Sequence, residues 1–277
     1  MKKVGIALLV ALLVFGLMVA VTGCGAGGEK AGKEESGANT EQTQPGEGGE
    51  KEVAILKVGT EAAYAPFEYV DEKTGEITGF DAELIKAIAE AIGMEAELQH
   101  IDWDGLYPAL NSGEVDVVIS AMTITPEREE EVDFSEPYFE VVQAIAVKEG
   151  SEIRSLADLV GKRVGVQANT TGHYAVEQIE GMKEDDISTY PTTPDALMAL
   201  ETGEVEAVVA DDPVVANFIK HNPDAGIVMI EDPTVEPEFY GIALKEGNPL
   251  REKINEGLKK VKESGKYDEI YAKYFGK

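Results

Sequence analysis

Two passages 90 residues apart repeat one another: "PALNSGEVDVVIS" over 108–120 and "MALETGEVEAVVA" over 198–210. In each, a helical pattern runs into a glycine, Gly113 or Gly203, as a helix C-terminus favours, and a short apolar strand comes next. A continuous apolar strand fed by a helix belongs to a parallel sheet covered on both faces. The repeat therefore predicts an α/β chain built of two similar units.

The openings of the units correspond as well. "ILKVGTEAAYAPFEY" (55–69) and "GKRVGVQANTTGHYA" (161–175) each run from a buried strand into a loop of small and polar residues. Helix starts are legible at Asp81 ahead of "AELIKAIAEAIG", at the cap-plus-proline pairs Thr125-Pro126, Thr193-Pro194 and Asp212-Pro213, and at Asn248-Pro249 before the C-terminal helices. In open parallel sheets ligands bind beyond the carboxyl ends of the strands. That rule selects Glu61, Tyr64, the stretch Ser120, Ala121 to Thr123, the stretch Gln167 to Thr171, and Asp211. Trp103 opens the helix leading to the Ser120 strand and joins the set.

Ahead of the repeat, Lys2 and Lys3 precede an apolar run from Val4 to Val21, closed by Val21-Thr22-Gly23-Cys24. Small residues before a cysteine read as a lipoprotein signal peptide (1–23) cleaved at a lipidated Cys24, in preference to a retained membrane span. Cys24 is the only cysteine, so the chain forms no internal disulfide. The remainder of 24–52 holds only small, polar and charged residues and reads as a flexible linker with an r.m.s. reach of roughly 30 Å. The rest of the chain, about 53–277, suffices for two modest domains. With 24 Lys and Arg against 53 Asp and Glu, the formal net charge is −29. Such a surface repels nucleic acid and favours the approach of cations, and it reads equally as adaptation to a saline or alkaline habitat.

Within that acid excess, Arg128 is the only Lys or Arg between Lys86 and Lys148. Taken alone, it reads as a surface ion pair with Glu129 or Glu131. Its position argues otherwise. With Thr125 as cap and Pro126 at N1, Arg128 falls in a first helical turn, where free N–H groups and the helix dipole favour an anion. A guanidinium there makes a two-pronged carboxylate receptor. Asp211, at the equivalent strand end of the second unit, supplies the opposite charge and suits an ammonium group. One fixed cation and one fixed anion on separate units match an α-amino acid zwitterion. Tyr64 and Trp103 add aromatic faces and Glu61 a second anion. Singly, these would be packing residues and a loop acid, and Ser120 and Thr123 strand-end capping groups.

As an ordered set, "VGTEAAYAPFEY", "GFDAELIKAIAEAIG", "DWDGLYPALNSGEVDVVISAMTITPERE", "VDFSEPYF", "GKRVGVQANTTG", "VVADDPVVANF" and "SGKYDEIYAKYFG" resemble the family 3 extracellular solute-binding proteins, the polar amino-acid-binding proteins of ABC importers. The resemblance covers roughly residues 53–277 and implies a two-lobed periplasmic-binding-protein-like (type II) fold, each lobe a parallel-rich sheet flanked by helices. Lobe 1 would be 53–137 with 241–277, lobe 2 would be 143–235, and hinge strands would lie near 138–142 and 236–240. By position, Arg128 would bind the ligand carboxylate with Thr123 and backbone groups near Ala121 and Thr171. Asp211 would take the α-amino group, and Tyr64 and Trp103 would sandwich the side chain. Glu61 stands where many relatives have Asp, and Gln167 where glutamine-specific members often have Lys. A carboxylate between two aromatic rings, with no added lysine, suits a cationic side chain, arginine before lysine.

The implied protein is a monomeric, lipid-anchored receptor on the extracytoplasmic face of the bacterial cell membrane. It would use no cofactor or metal, catalyse nothing, bind no nucleic acid, and hand an amino acid to an ABC transporter permease. Three readings compete with it. One is a receptor for glutamine or another polar amino acid. Another is a cyclohexadienyl-dehydratase-like enzyme on the same fold, with Glu61 or His173 as general acid, His100 and His221 keeping structural roles. The third is an amino-acid sensor, which would require a transmembrane helix or signalling domain after residue 277.

Overall fold

The computed structural model describes residues 53–276. The expected signal peptide, Cys24 and the linker lie outside the described residues. Strands β1 (Ala54–Thr60), β5 (Met94–His100), β6 (Val117–Val118), β7 (Val132–Phe134) and β15 (Ala243–Lys245) form one sheet in the order β5-β1-β6-β15-β7. Strands β9 (Gln143–Lys148), β10 (Val164–Gln167), β11 (Ile187–Tyr190), β12 (Ala207–Asp211) and β13 (Ile227–Glu231) form a second in the order β11-β10-β12-β9-β13. The strands of the sequence repeat, β6 and β12, sit at the centres of their sheets.

Each central strand runs parallel to the opening strand of its unit, β1 or β10, and antiparallel to its other neighbour, β15 or β9. The parallel reading thus holds on one side only, and both sheets are mixed. The reason lies outside either repeat: β9 and β15 are the strands that enter just after the chain has crossed between sheets. The crossing is a two-stranded ribbon in which β8 (Phe139–Val141) pairs antiparallel with β14 (Glu238–Tyr240), Val141 opposite Glu238 and Phe139 opposite Tyr240. A small sheet of β2 (Ala63–Tyr64), β3 (Glu68–Val70) and β4 (Ile77–Thr78) comes directly after β1.

Helices cover both faces of each sheet. On the first, α1 (Phe80–Ala91) buries Phe80, Leu84, Ile85, Ile88 and Ala89, a stripe of helical period, against Leu56 and Val58 of β1 and against Ile254 and Leu258 of α7 (Leu250–Glu263). Ile270 of α8 (Lys266–Phe275) closes that cluster, while α2 (Leu106–Ser112) covers the other face with Leu106 and Leu110. On the second sheet, α5 (Thr193–Thr202) and α6 (Asp212–His221) lie on one face and α4 (Thr171–Glu177) on the other. Gly113 and Gly203 end α2 and α5 in the left-handed conformation, at φ 77° and 81°. Among the described residues no helix is long and apolar enough to cross a membrane.

Several helix starts differ from expectation. Asp81 is not a cap: α1 begins after Gly79, and Asp81 lies inside the helix, fully buried. Gly79 has φ 123°, and a Cβ there would meet the Phe67 carbonyl oxygen at 2.1 Å. The caps of α5 and α6 fall at Thr192 and Asp211, one residue before the expected Thr193 and Asp212. At α3 (Pro126–Glu129) Thr125 does cap, its hydroxyl accepting from the Arg128 N–H at 3.3 Å. Because α3 is a single turn, its dipole adds little, and the guanidinium itself must carry any anion binding.

Candidate functional site

Strand ends supply the site. Glu61 stands just past β1, Ser120 to Thr123 just past β6, Gln167 ends β10, and Asp211 ends β12. Tyr64 comes from β2, Trp103 from the turn before α2, Arg128 from α3 and Thr171 from the start of α4. All of these except Met122 line one cavity between the ends of the two sheets. The cavity measures about 20 Å³, room for about one water by the usual measure. It adjoins an outer groove of about 660 Å³ to which Trp103, Tyr107, Arg128 and Tyr174 contribute.

Direct hydrogen bonds hold the two walls together. The Tyr64 hydroxyl donates to Asp211 Oδ2 at 2.7 Å, and Gln167 Nε2 donates to Glu61 Oε2 at 2.8 Å. Trp103 Nε1 donates to the Asn169 carbonyl at 3.1 Å, and Asn169 Nδ2 to Asp104 Oδ1 at 2.8 Å. The orientation of the Gln167 amide is set from behind: its Oε1 accepts from Thr193 N–H and hydroxyl at 3.2 and 2.9 Å, which turns Nε2 toward Glu61. A ligand larger than a water therefore enters only as the walls part and these acceptors change partner.

Arg128 has no acidic partner among the described residues, so the surface ion pair with Glu129 or Glu131 is absent. Its Nη1 donates to the Thr123 carbonyl at 2.8 Å, and the guanidinium stands 5.3 Å from the centre of the Trp103 ring. At this distance the cation and the ring attract, so Trp103 faces the site's own cation. Ser120 is occupied as well: its hydroxyl donates to Glu68 at 3.0 Å and accepts from the Glu61 N–H at 2.9 Å.

The carboxylates feel their burial. Glu61 is 4 % exposed, and desolvation pushes its carboxyl up to about 7 against the lowering pull of the Gln167 amide. Asp211 is pushed up to about 6 by burial, although Tyr240, Tyr64 and Gln143 all donate to it. Glu238, on the crossing strand β14, adds to that rise. It accepts from the Thr123 hydroxyl at 3.1 Å and from Gln143 Nε2 at 3.3 Å, so it touches groups from both walls. Two carboxyl groups and one guanidinium thus line the cavity, and the Glu238 carboxyl lines the adjoining groove.

Sequence reasoning missed Gln143, Thr193, Glu238 and Tyr240. Gln143 carried a signal, as the lone polar side chain in the apolar run "VVQAIAV". Glu238 and Tyr240 carried none, because their role depends on the ribbon between sheets. Of the histidines, His100 Nδ1 accepts from the Ala62 N–H at 3.0 Å and so fixes the Glu61 loop, while His173 pairs with Glu177 at 3.4 Å along α4. Among the described residues no group of three or more His, Cys, Asp or Glu is arranged to hold a metal ion.

Comparison with known proteins finds amino-acid-binding proteins. A probable histidine-binding protein of Neisseria gonorrhoeae is 41 % identical over 225 residues, covering 80 % of this chain and 84 % of that protein. The arginine-, lysine-, histidine-binding protein ArtJ of the thermophilic bacterium Geobacillus stearothermophilus has a structure that superposes with a TM-score of 0.77 at 46 % identity, covering 80 % of this chain and 95 % of that one. An ancestral arginine-binding protein bound to glutamine superposes at 0.75 and 46 % identity, covering 81 % and 99 %. The sequence profile of the family matches residues 56–277, and the chain belongs to the bacterial extracellular solute-binding proteins, family 3.

Proposed function

We propose that the protein captures a free L-amino acid with a cationic side chain, arginine first, between its two lobes and delivers it to an ABC permease. One observation carries the side-chain reading. Glu61 is a buried carboxyl lining the cleft, held by the Gln167 amide and the Trp103 backbone N–H, with no Lys or Arg beside it to offset its burial. A guanidinium entering beside Tyr64 would take that carboxylate as its ion-pair partner and remove the desolvation penalty. Arg128, free of acidic partners among the described residues, would receive the ligand carboxylate with Thr123 and the backbone at Ala121 and Thr171. Asp211 would receive the α-ammonium group, displacing the Tyr64 hydroxyl. The names of the relatives, for histidine, arginine and lysine, support the same class.

Closure makes delivery possible. A ligand that bonds both walls binds the closed form better and shifts the lobes toward it. The ribbon of β8 and β14 is where we place the hinge, with lobe 1 as 53–137 plus 241–277 and lobe 2 as 143–235. Cys24 is the proposed anchor to the membrane, and loss of lipid labelling in Cys24→Ser tests that part alone. Calorimetry of the purified protein against the twenty amino acids tests the ligand class: arginine should bind most tightly. A preference for glutamate or aspartate would sink the reading. Glutamine is the second reading, favoured by the Gln167–Glu61 hydrogen bond, since a protonated Glu61 offers both a donor and an acceptor to a carboxamide.

A further inference from the structure

Behind the Ser120–Ala121 wall lie two carboxyl groups that the proposed receptor does not use. Glu68 on β3 and Asp81 on α1 are both 0 % exposed. Asp81 Oδ2 accepts from the Ala121 N–H at 2.8 Å and from the Tyr138 hydroxyl at 2.6 Å. Glu68 Oε1 accepts from the Ser120 hydroxyl at 3.0 Å, and Ser120 in turn accepts from the Glu61 N–H at 2.9 Å. The remaining oxygens, Glu68 Oε2 and Asp81 Oδ1, are buried without a donor from any other residue. The two carboxyl groups stand close enough for each to act on the ionisation of the other.

An ionised carboxylate offers only acceptors, so neither of these two unpartnered oxygens can serve the other unless one carboxyl keeps a proton. Two buried carboxylates side by side would add mutual repulsion to the cost of desolvation, and such pairs keep one proton. The titratable groups facing the pair are Glu61 on the loop after β1, Tyr64 on β2, Tyr138 before β8 and Tyr267 on α8. None is a cation that would allow both to ionise.

We propose that Glu68 and Asp81 share one proton and act as the positioning pair of the binding cleft, fixing the Ser120 hydroxyl and the Ala121 backbone against which the ligand is held. Ala121 needs such support. It stands at φ 46°, in the left-handed region that a side-chain-bearing residue other than Asn or Asp seldom occupies. Its N–H is held there by Asp81, the member of the pair with two donors, which is the better place for the negative charge. Glu68, with one donor, is the better place for the proton. Burial raises Asp81 to about 6 and Glu68 well above its ordinary value; the Asp81 charge opposes ionisation of Glu68, whereas the Glu68 side chain lowers Asp81. Through Ser120 the pair also reaches the backbone of Glu61, so one buried proton holds the wall under both the expected carboxylate and side-chain positions.

The proposal rests on the reading of the cleft as an amino-acid receptor, and two measurements separate the two. The first needs no ligand: infrared spectra of the purified protein at about pH 8, where solvated carboxylates are ionised, should show a protonated-carboxyl C=O stretch that Glu68→Gln removes. The second is L-arginine binding by calorimetry. Glu68→Ala should weaken it by about ten-fold or more, the effect of unmaking buried hydrogen bonds at a site wall. Glu68→Gln should restore most of that loss at neutral pH, because its amide donates to Asp81 and accepts from Ser120. Absence of the infrared band, or a Glu68→Gln protein as weak as Glu68→Ala, would overturn the proposal. Should Glu68→Ala not fold, the band and the comparison of Glu68→Gln with wild type still decide it. A wild-type protein that ignores arginine would sink the proposed function instead, leaving the infrared result to judge the pair.

Discussion

Burial, opposed by the Gln167 amide and the Trp103 backbone N–H, leaves the Glu61 carboxyl at about 7, so its charge is half expressed near neutrality in the absence of a cation. A guanidinium binding there favours the ionised form and expels the proton. Arginine affinity should therefore rise with pH up to about 7 and level off above, while glutamine affinity should level off by about pH 6, where Asp211 alone sets the slope. Glu61→Gln should remove the slope between about pH 6 and 7 and weaken arginine binding by about 2 kcal/mol or more, the low end for breaking a desolvated charge pair. Titration calorimetry at several pH values reads both effects. Arg128→Lys should lose most binding at little cost in stability, because among the described residues the guanidinium bonds only to the Thr123 carbonyl and faces Trp103. A melting curve and a binding isotherm on that one variant separate receptor from structural residue. At this scale the strand-end rule collected side chains that line one cavity, since it depends only on where strands stop. It missed Glu238 and Tyr240, which reach the site from the crossing ribbon.

The helix starts show what local sequence leaves undecided. "TTP" at 192–194 and "DDP" at 211–213 each offer two capping residues before one proline. The choice is made by tertiary partners. Thr193 donates its hydroxyl to Gln167, leaving Thr192 to accept from Asp195 N–H, and Asp212 accepts from the Val142 N–H while the Asp211 carboxylate faces the cleft. Asp81 is the same lesson in a stronger form: an acid in a first helical turn reads as a cap, yet its partners are 40 and 57 residues away. The apolar stripe of α1, by contrast, was readable, because a 3.6-residue period survives any tertiary arrangement. Leu84 in that stripe is 0 % exposed. Leu84→Ala should cost about 2–5 kcal/mol in denaturant unfolding, the range for a cavity left in a core. Arginine affinity should stay near wild type, since Leu84 lies on the α1–α7 side of the sheet, away from the cleft.

For the molecule as a whole, the duplication was legible because it is local to each unit, whereas the insertion of β9 and β15 was not, because each strand arrives from the other side of the crossing. That crossing brings acids from both sheets into one closed cleft, and the consequence is measurable as stability. Glu61, Asp81 and Asp211 all have folded-state pKa values raised by burial, to about 7, about 6 and about 6. A carboxyl raised on folding contributes stability that is complete below its unfolded value, about 4, and is lost as pH rises through the folded one. Acids lowered on folding, such as Glu83 and Glu256, are ionised in both states above about pH 5 and contribute no slope there. The ligand-free melting temperature should therefore fall between about pH 5 and pH 8. Self-repulsion of a chain with net charge −29 acts in the same direction. Saturating arginine should flatten the fall above about pH 6, because cations facing Glu61 and Asp211 return both pKa values toward the ordinary carboxylate range. Glu61→Gln should flatten part of it without ligand. A ligand-free melting temperature that climbs across this window would mean that the buried acids are not held under strain, and the electrostatic account of the cleft would fall with it.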